Sequence, residues 1–129
     1  MSMSLPMLET ERLRIRPLSV DSGRDAVFID RLLNEPSFLQ NIGDRGVHSL
    51  EDARAYLLKG PIASYAANGF GLGGIELKEN GATAGMCGLV KRATLDDVDL
   101  GYALLPEYWG QGYAVEAGAA VLADARARL

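Results

Sequence analysis

The sequence predicts one α/β domain in which a mixed, mostly antiparallel sheet is flanked by helices. Apolar residues alternate with polar ones in segments typical of strands, and they recur at helical spacing in the segments between. Glycine-rich turns separate several of these elements. A length of 129 residues suits one domain better than two, so residues 1–129 are expected to share one core.

The first half of the chain is expected to contain a strand, a helix and a loop. The strand is predicted within residues 8–18, where Leu13 and Ile15 alternate with arginines. Apolar residues at helical spacing predict the first helix between Asp21 and Pro36. The irregular stretch from Phe38 to Gly46 is predicted to be a loop that could contact a substrate.

A second helix and three strands are predicted in the middle of the chain. The helix runs from Leu50 to Ala67, with Ser49 and Asp52 in a capping box that has Asp in place of Glu. Three strands follow, at Leu72–Leu77, Thr83–Val90 and Val98–Leu105. The turn Glu79–Gly81 predicts that the first two are antiparallel neighbours, and residues 94–97 are expected to form the next turn.

Composition argues against several classes of protein. The net charge of −4 and the lack of a basic cluster do not favour nucleic acid as a partner. Cys87 is the only cysteine and lies in an apolar segment, which predicts a small buried side chain rather than a nucleophile, and a cytoplasmic location. No apolar run approaches the roughly 20 residues of a membrane helix. The single histidine, His48, is expected in a surface turn, and no metal site is predicted.

The most specific feature of the sequence follows Pro106. Two aromatic residues, Tyr108 and Trp109, lead into a glycine-rich turn, and a third helix opens near Tyr113. Glycines let a backbone turn tightly, and a helix start presents unpaired amides and a partial positive charge. The segment therefore predicts a pyrophosphate site, although an ordinary strand-to-helix connection is the alternative. The spacing fits neither a Walker loop nor a dinucleotide fingerprint, whose third glycine position holds Val115.

The segment DLGYALLPEYWGQGYAVEA, which begins at Asp99, resembles the acetyl-CoA-binding motif of the GNAT superfamily, in the branch of ribosomal-protein alanine N-acetyltransferases. The opening LETERLRIRPL and the strand Gly85–Leu89 are similar to that branch too. The resemblance implies a GNAT-like fold and acetyl-CoA as cosubstrate. The residues implied to contact acetyl-CoA through their backbone are Leu104 and Leu105 for the pantetheine arm, and Gly110, Gln111, Gly112, Tyr113 and Ala114 for the pyrophosphate. Trp109 stands where the superfamily pattern has Gln or Arg.

The resemblance also implies direct attack of an amine on the thioester, with no acyl-enzyme. Asp99 lies where relatives carry a Glu that deprotonates the amine, so it is the candidate general base; a solvated or structural carboxylate is the alternative. Tyr108 and Trp109 are expected to pack under the glycine turn. Glu116 is expected to favour the start of the third helix electrostatically and to weaken the phosphate site slightly.

The function expected is acetyl transfer from acetyl-CoA to a primary amine, either a protein N-terminus or a small molecule. The acidic balance favours a cationic acceptor. A catalytically inactive CoA-binding or interaction module is the alternative. The resembled fold continues past the third helix with strands and a helix that often supply a Tyr proton donor, so the domain is expected to be incomplete at its C-terminus. An uncovered strand edge would allow homo-oligomers.

Overall fold

One five-stranded sheet organises the chain, as seen in a computed structural model that describes residues 5–21, 23–91 and 98–128. The strands are β1 (Leu8–Glu9), β2 (Leu13–Arg16), β3 (Leu72–Leu77), β4 (Thr83–Lys91) and β5 (Val98–Leu104). They lie in chain order, and each described neighbouring pair is antiparallel. The three strands predicted in the middle of the chain are confirmed, whereas the turn predicted at residues 94–97, which includes Asp97, lies outside the described residues.

Helices cover both faces of the sheet. They are α1 (Arg24–Leu33), α2 (Pro36–Asn41), α3 (Leu50–Leu57), α4 (Ala63–Asn68) and α5 (Tyr113–Arg128). One apolar cluster joins α1, α2 and α3 to Met86 of β4, and the other joins α5 to Cys87 of the same strand. Because successive residues of a strand point to opposite faces, β4 contributes to both clusters. The predicted α/β architecture is confirmed.

The segment predicted as one strand at residues 8–18 is a hairpin instead. Leu13 and Ile15 are buried as predicted, but β1 folds back onto β2, with Leu8 opposite Ile15. Thr10 closes the turn: its amide donates to the Leu13 carbonyl at 2.9 Å, and its Oγ1 accepts from the Leu13 amide at 3.0 Å. Side chains of Ser, Thr, Asn and Asp often close turns in this way, which the alternation pattern does not reveal.

The first helix is confirmed, but two other expectations for the helical region need correction. The predicted loop at Phe38–Gly46 begins with α2, in which Pro36 occupies the first turn and Phe38 is buried. Proline is favoured at a helix start, so it opens a helix here as well as ending the previous one. The helix predicted from Leu50 to Ala67 contains a π-helical turn at Leu58–Ile62, where Pro61 has no amide to donate.

The junction between β4 and β5 depends on a glycine. Gly85 lies opposite Leu104, and a Cβ at Gly85 would lie 2.3 Å from the Ala103 carbonyl oxygen. Any larger residue there would push β5 away from β4. The glycine therefore fixes the end of β5, from which the turn into α5 departs.

Candidate functional site

The turn between β5 and α5 has the geometry that its glycines predict. A short 3₁₀ turn at Pro106–Tyr108 is followed by Trp109 and then by Gly110 and Gly112, whose φ angles are 77° and 80°. Residues that carry a side chain rarely adopt these left-handed backbone angles, so both positions favour glycine. We call residues Gly110–Ala114 the cofactor turn, after the role that the resemblance implies for them.

The backbone amides of this turn find no hydrogen-bond acceptor among the residues that the structure describes. Within the described part of the chain, no amide of residues 110–115 donates a hydrogen bond. Some of these amides are the unpaired donors of the α5 N-terminus, where the helix dipole is positive. Gly110, Gly112, Tyr113 and Ala114 line a cavity of about 520 Å³, the first cavity, whereas Gln111 does not. These donors form a suitable cradle for a pyrophosphate.

The end of β5 adjoins the first cavity. The Leu105 amide donates to the Ala84 carbonyl of β4 at 2.8 Å. Because successive residues of a strand direct their amides and carbonyls to opposite sides, the amide and carbonyl of Leu104 point away from β4. The Leu104 carbonyl accepts a hydrogen bond from Nε1 of Trp109 at 3.0 Å. Leu105 is buried, lines neither large cavity, and accepts from the Tyr108 amide, so its backbone serves the fold.

A second cavity, of about 670 Å³, lies on the α1–α4 side of β5. Asp99 lines it, together with Gly101 and Ala103 from the same strand. The second cavity shares four lining residues with the first: Phe38, Ile42, Tyr102 and Ala103. A continuous groove along β5 therefore connects the cofactor turn to Asp99.

The charge of the second cavity differs from the charge of the whole chain. Arg45, Lys59 and Lys91 line it, against a single described carboxylate, Asp99. None of these three cations forms an ion pair with a carboxylate in residues 5–21, 23–91 or 98–128. The described lining thus carries more cations than carboxylates, although the sequence has a net charge of −4.

The Tyr56 hydroxyl and the Cys87 thiol have raised pKa values. Burial raises the pKa of the Tyr56 hydroxyl in the second cavity, while the charge of Arg45 lowers it by a smaller amount, so the hydroxyl stays protonated at neutral pH. Burial also raises the pKa of Cys87 to about 11. The thiol is fully buried, as the sequence predicts, and the raised pKa keeps it protonated at neutral pH, as in cysteines that serve packing.

A cluster that the sequence analysis missed holds the back of the cofactor turn. Nη1 of Arg12 donates to the Gln111 carbonyl at 2.9 Å, and Nε donates to Oε1 of Glu116 at 2.7 Å. Glu116 also accepts from the backbone amide of Arg12 and from the hydroxyl of Thr10. Partial desolvation raises the pKa of Glu116, but these hydrogen bonds and the Arg12 charge lower it more, to a net value below the usual one.

Two expectations about this region change as a result. Glu116 does more than favour the helix start, because its carboxylate joins α5 to the β1–β2 hairpin. Trp109 does not pack under the turn: its side chain is exposed and bonds the strand end, whereas Tyr108 packs against both apolar clusters. A contact between residues a hundred positions apart has no signal in the spacing of either segment.

The remaining candidates lie away from the groove. His48 is exposed beside Asp44, and its backbone amide donates to Asp52, whose own amide donates to Ser49 as the capping prediction requires. Among the described residues, no group of three His, Cys, Asp or Glu side chains could hold a metal ion. No helix in the same ranges is long and apolar enough to cross a membrane.

Comparison with known proteins identifies the class. Residues 12–129 match the family model described as an acetyltransferase (GNAT) domain. An acetyltransferase from Agrobacterium tumefaciens is 27% identical, with a TM-score of 0.75, and the match covers 97% of this chain and 69% of that one. The comparison with curated proteins finds no match.

Two more distant structures share the fold. A GNAT-family acetyltransferase from Bacillus anthracis is 23% identical, with a TM-score of 0.69, over 91% of this chain and 64% of that one. A protein from Vibrio cholerae assigned as a ribosomal-protein-serine acetyltransferase is 20% identical, with a TM-score of 0.71, over 95% of this chain and 68% of that one. The chain belongs to the GNAT family of acetyltransferases, enzymes that use acetyl-CoA as cosubstrate.

Proposed function

We propose that the protein transfers an acetyl group from acetyl-CoA to a primary amine, which is a protein N-terminus or a small molecule. The observation that carries this proposal is the groove along β5. It runs from the amides of the cofactor turn, which donate no hydrogen bond within the described ranges, to the carboxylate of Asp99. It provides an anion site at one end and a proton acceptor at the other.

In this proposal the cofactor turn holds the pyrophosphate through the amides of Gly110 to Ala114. Four of these five residues line the first cavity, whereas the Gln111 carbonyl accepts a hydrogen bond from Arg12. The edge of β5 at Tyr102 and Leu104 is the part of the strand that an extended pantetheine arm would follow. Leu105 is not assigned to this role, because its amide is bonded to β4.

Asp99 is proposed as the general base. Acetyl-CoA supplies an acetyl group activated as a thioester. The acceptor nitrogen attacks the acetyl carbon, the electron pair of the C–S bond leaves with sulfur, and Asp99 takes the proton that the nitrogen loses. Direct attack is favoured over an acyl-cysteine, since Cys87 is buried and protonated.

The acceptor is proposed to carry a negative group near its amine. Arg45, Lys59 and Lys91 line the cavity where the amine would enter and have no carboxylate partner in the described ranges. An acceptor with a nearby carboxylate or phosphate would meet these cations, whereas a polycation would be repelled. This reverses the preference that the total charge of the chain predicts.

The test is a thiol-release assay with acetyl-CoA over a panel of amines, run beside calorimetry with acetyl-CoA and CoA. The panel contains acidic and basic peptides with a free N-terminal amine, peptides whose N-terminus is blocked by acetylation and whose lysine amine is free, and small polyamines. Turnover with at least one amine is expected. Binding without turnover would instead support the second candidate, a CoA-binding module without catalytic activity, and the absence of binding would contradict both.

A further inference from the structure

We propose that Arg12, which lies outside the glycine motif, is a positioning residue for acetyl-CoA. It fixes the peptide bond between Gln111 and Gly112 so that the Gly112 amide faces the first cavity. The inference rests on the proposed function, because it assumes that the cofactor turn binds the pyrophosphate. It adds a residue from the opposite end of the chain to that site.

The orientation follows from the planarity of the peptide bond. Nη1 of Arg12 donates to the Gln111 carbonyl at 2.9 Å. In a trans peptide, the carbonyl of one residue and the amide of the next point in opposite directions. The Gly112 amide therefore points away from Arg12. Gly112 lines the first cavity and Arg12 does not, so the side away from Arg12 is the side of the ligand.

The turn needs such a restraint because of its glycine. Gly112 has a φ of 80° and no side chain, so a rotation of the preceding peptide plane meets little steric resistance. A rotated plane would direct the Gln111 carbonyl oxygen into the cavity, where its partial negative charge would repel a phosphate. The hydrogen bond from Arg12 opposes that rotation. The phosphate therefore meets the Gly112 amide, a hydrogen-bond donor, and not the Gln111 carbonyl oxygen.

Arg12 is itself held at three points. Its Nε bonds Oε1 of Glu116, its guanidinium carbon lies 4.5 Å from the ring centroid of Tyr113, and Nη1 bonds Gln111. Only a planar guanidinium can make both hydrogen bonds in these directions while it stacks on a ring. A lysine keeps the charge but provides a single nitrogen, so Arg12→Lys separates positioning from charge.

The experiment compares Arg12→Lys with Arg14→Lys in the full chain. Arg14 is a matched control, since it lies on the same hairpin, forms partly exposed ion pairs with Glu9 and Glu76, and lines neither cavity. Two acetyl donors are used: acetyl-CoA, and S-acetylpantetheine, which lacks the pyrophosphate. Nuclear magnetic resonance of the Gly112 amide during CoA addition provides a second readout that does not depend on turnover.

Arg12→Lys is expected to lower kcat/KM for acetyl-CoA about tenfold and to change kcat/KM for S-acetylpantetheine less than about twofold. Arg14→Lys should leave both values unchanged. Equal losses with both donors, or no loss with acetyl-CoA, would overturn the proposal. If the wild-type chain uses neither donor, the proposed function fails. The Gly112 resonance then decides the role of Arg12: it should shift with CoA in the wild type and shift less in Arg12→Lys, and equal shifts would overturn the proposal.

Discussion

At the cofactor turn, the candidate site consists of main-chain amides from consecutive residues, held from behind by the β1–β2 hairpin. The second cavity instead gathers side chains from segments far apart, including Arg45, Lys59 and Asp99. Backbone donors depend on the path of the chain, so the turn tolerates many side chains but few changes at its glycines. The cavity depends on which side chains meet there. Under the proposed function, acetyl donor recognition and acceptor choice depend on different kinds of residue, and substitutions should separate them.

Asp99 should give the largest effect, confined to the acceptor end of the groove. Asp99→Asn preserves the shape of the side chain but removes the proton acceptor, so we expect kcat to fall about 100-fold while acetyl-CoA affinity is unchanged. Steady-state kinetics and calorimetry provide the two values. Asp124→Asn, which alters an ion-paired carboxylate on α5, is the control for loss of negative charge. A kcat within threefold of wild type for Asp99→Asn would remove Asp99 from the proposal.

Gly112→Ala should produce the opposite pattern. Its φ of 80° costs an alanine about 1–2 kcal/mol and displaces the amide, so the Kd for acetyl-CoA should rise about tenfold. Gly81→Ala is a matched control, because Gly81 has a φ of 73°, has open space at its Cβ position and lies in the β3–β4 hairpin. Both variants should lose similar thermal stability, and only Gly112→Ala should lose affinity. Equal affinity in the two variants would show that the amide of Gly112 is dispensable.

The cations of the second cavity should have a smaller effect that depends on the acceptor. For a peptide with Asp after its N-terminal residue, Lys59→Gln should lower kcat/KM about threefold. For a peptide with Lys at that position, kcat/KM should stay the same or rise. The difference should decrease as ionic strength rises. Lys78→Gln, which removes a cation paired with Glu9 and outside the cavity, should affect neither peptide. A preference for the Lys peptide in the wild type would contradict an anionic acceptor.

The smallest expected effect concerns the support behind the cofactor turn. The pKa of Glu116 is lower in the folded protein than its reference value of 4.5, so its ionised form stabilises the fold above that pH. The contribution is lost as the pH falls through the lowered value. Glu116→Gln should therefore reduce Tm by about 2 °C at pH 7, and the difference from wild type should shrink as the medium becomes more acidic. If the difference in Tm between Glu116→Gln and the wild type does not change with pH, the loss of stability comes from packing and not from the ionised carboxylate.

Much of the fold could be predicted because its elements repeat apolar residues at fixed intervals. Leu13 and Ile15 alternate on β2, and the apolar positions of α1 recur at helical spacing, so burial follows from the pattern. The hairpin at Thr10 and the start of α2 at Pro36 were missed. A turn closed by one hydroxyl and a helix of six residues leave few residues over which a period can be recognised.

The sequence by itself determined the path of the chain at the cofactor turn, because Gly110 and Gly112 allow backbone angles that other residues avoid and a helix start follows directly. Only the tertiary structure decided which side of that turn is open to a ligand. Arg12 reaches the Gln111 carbonyl across 99 positions of the chain, and the cations near Asp99 come from separate elements. Local backbone preference is encoded in neighbouring residues, whereas the direction of a hydrogen bond and the charge of a cavity arise only when distant segments pack together.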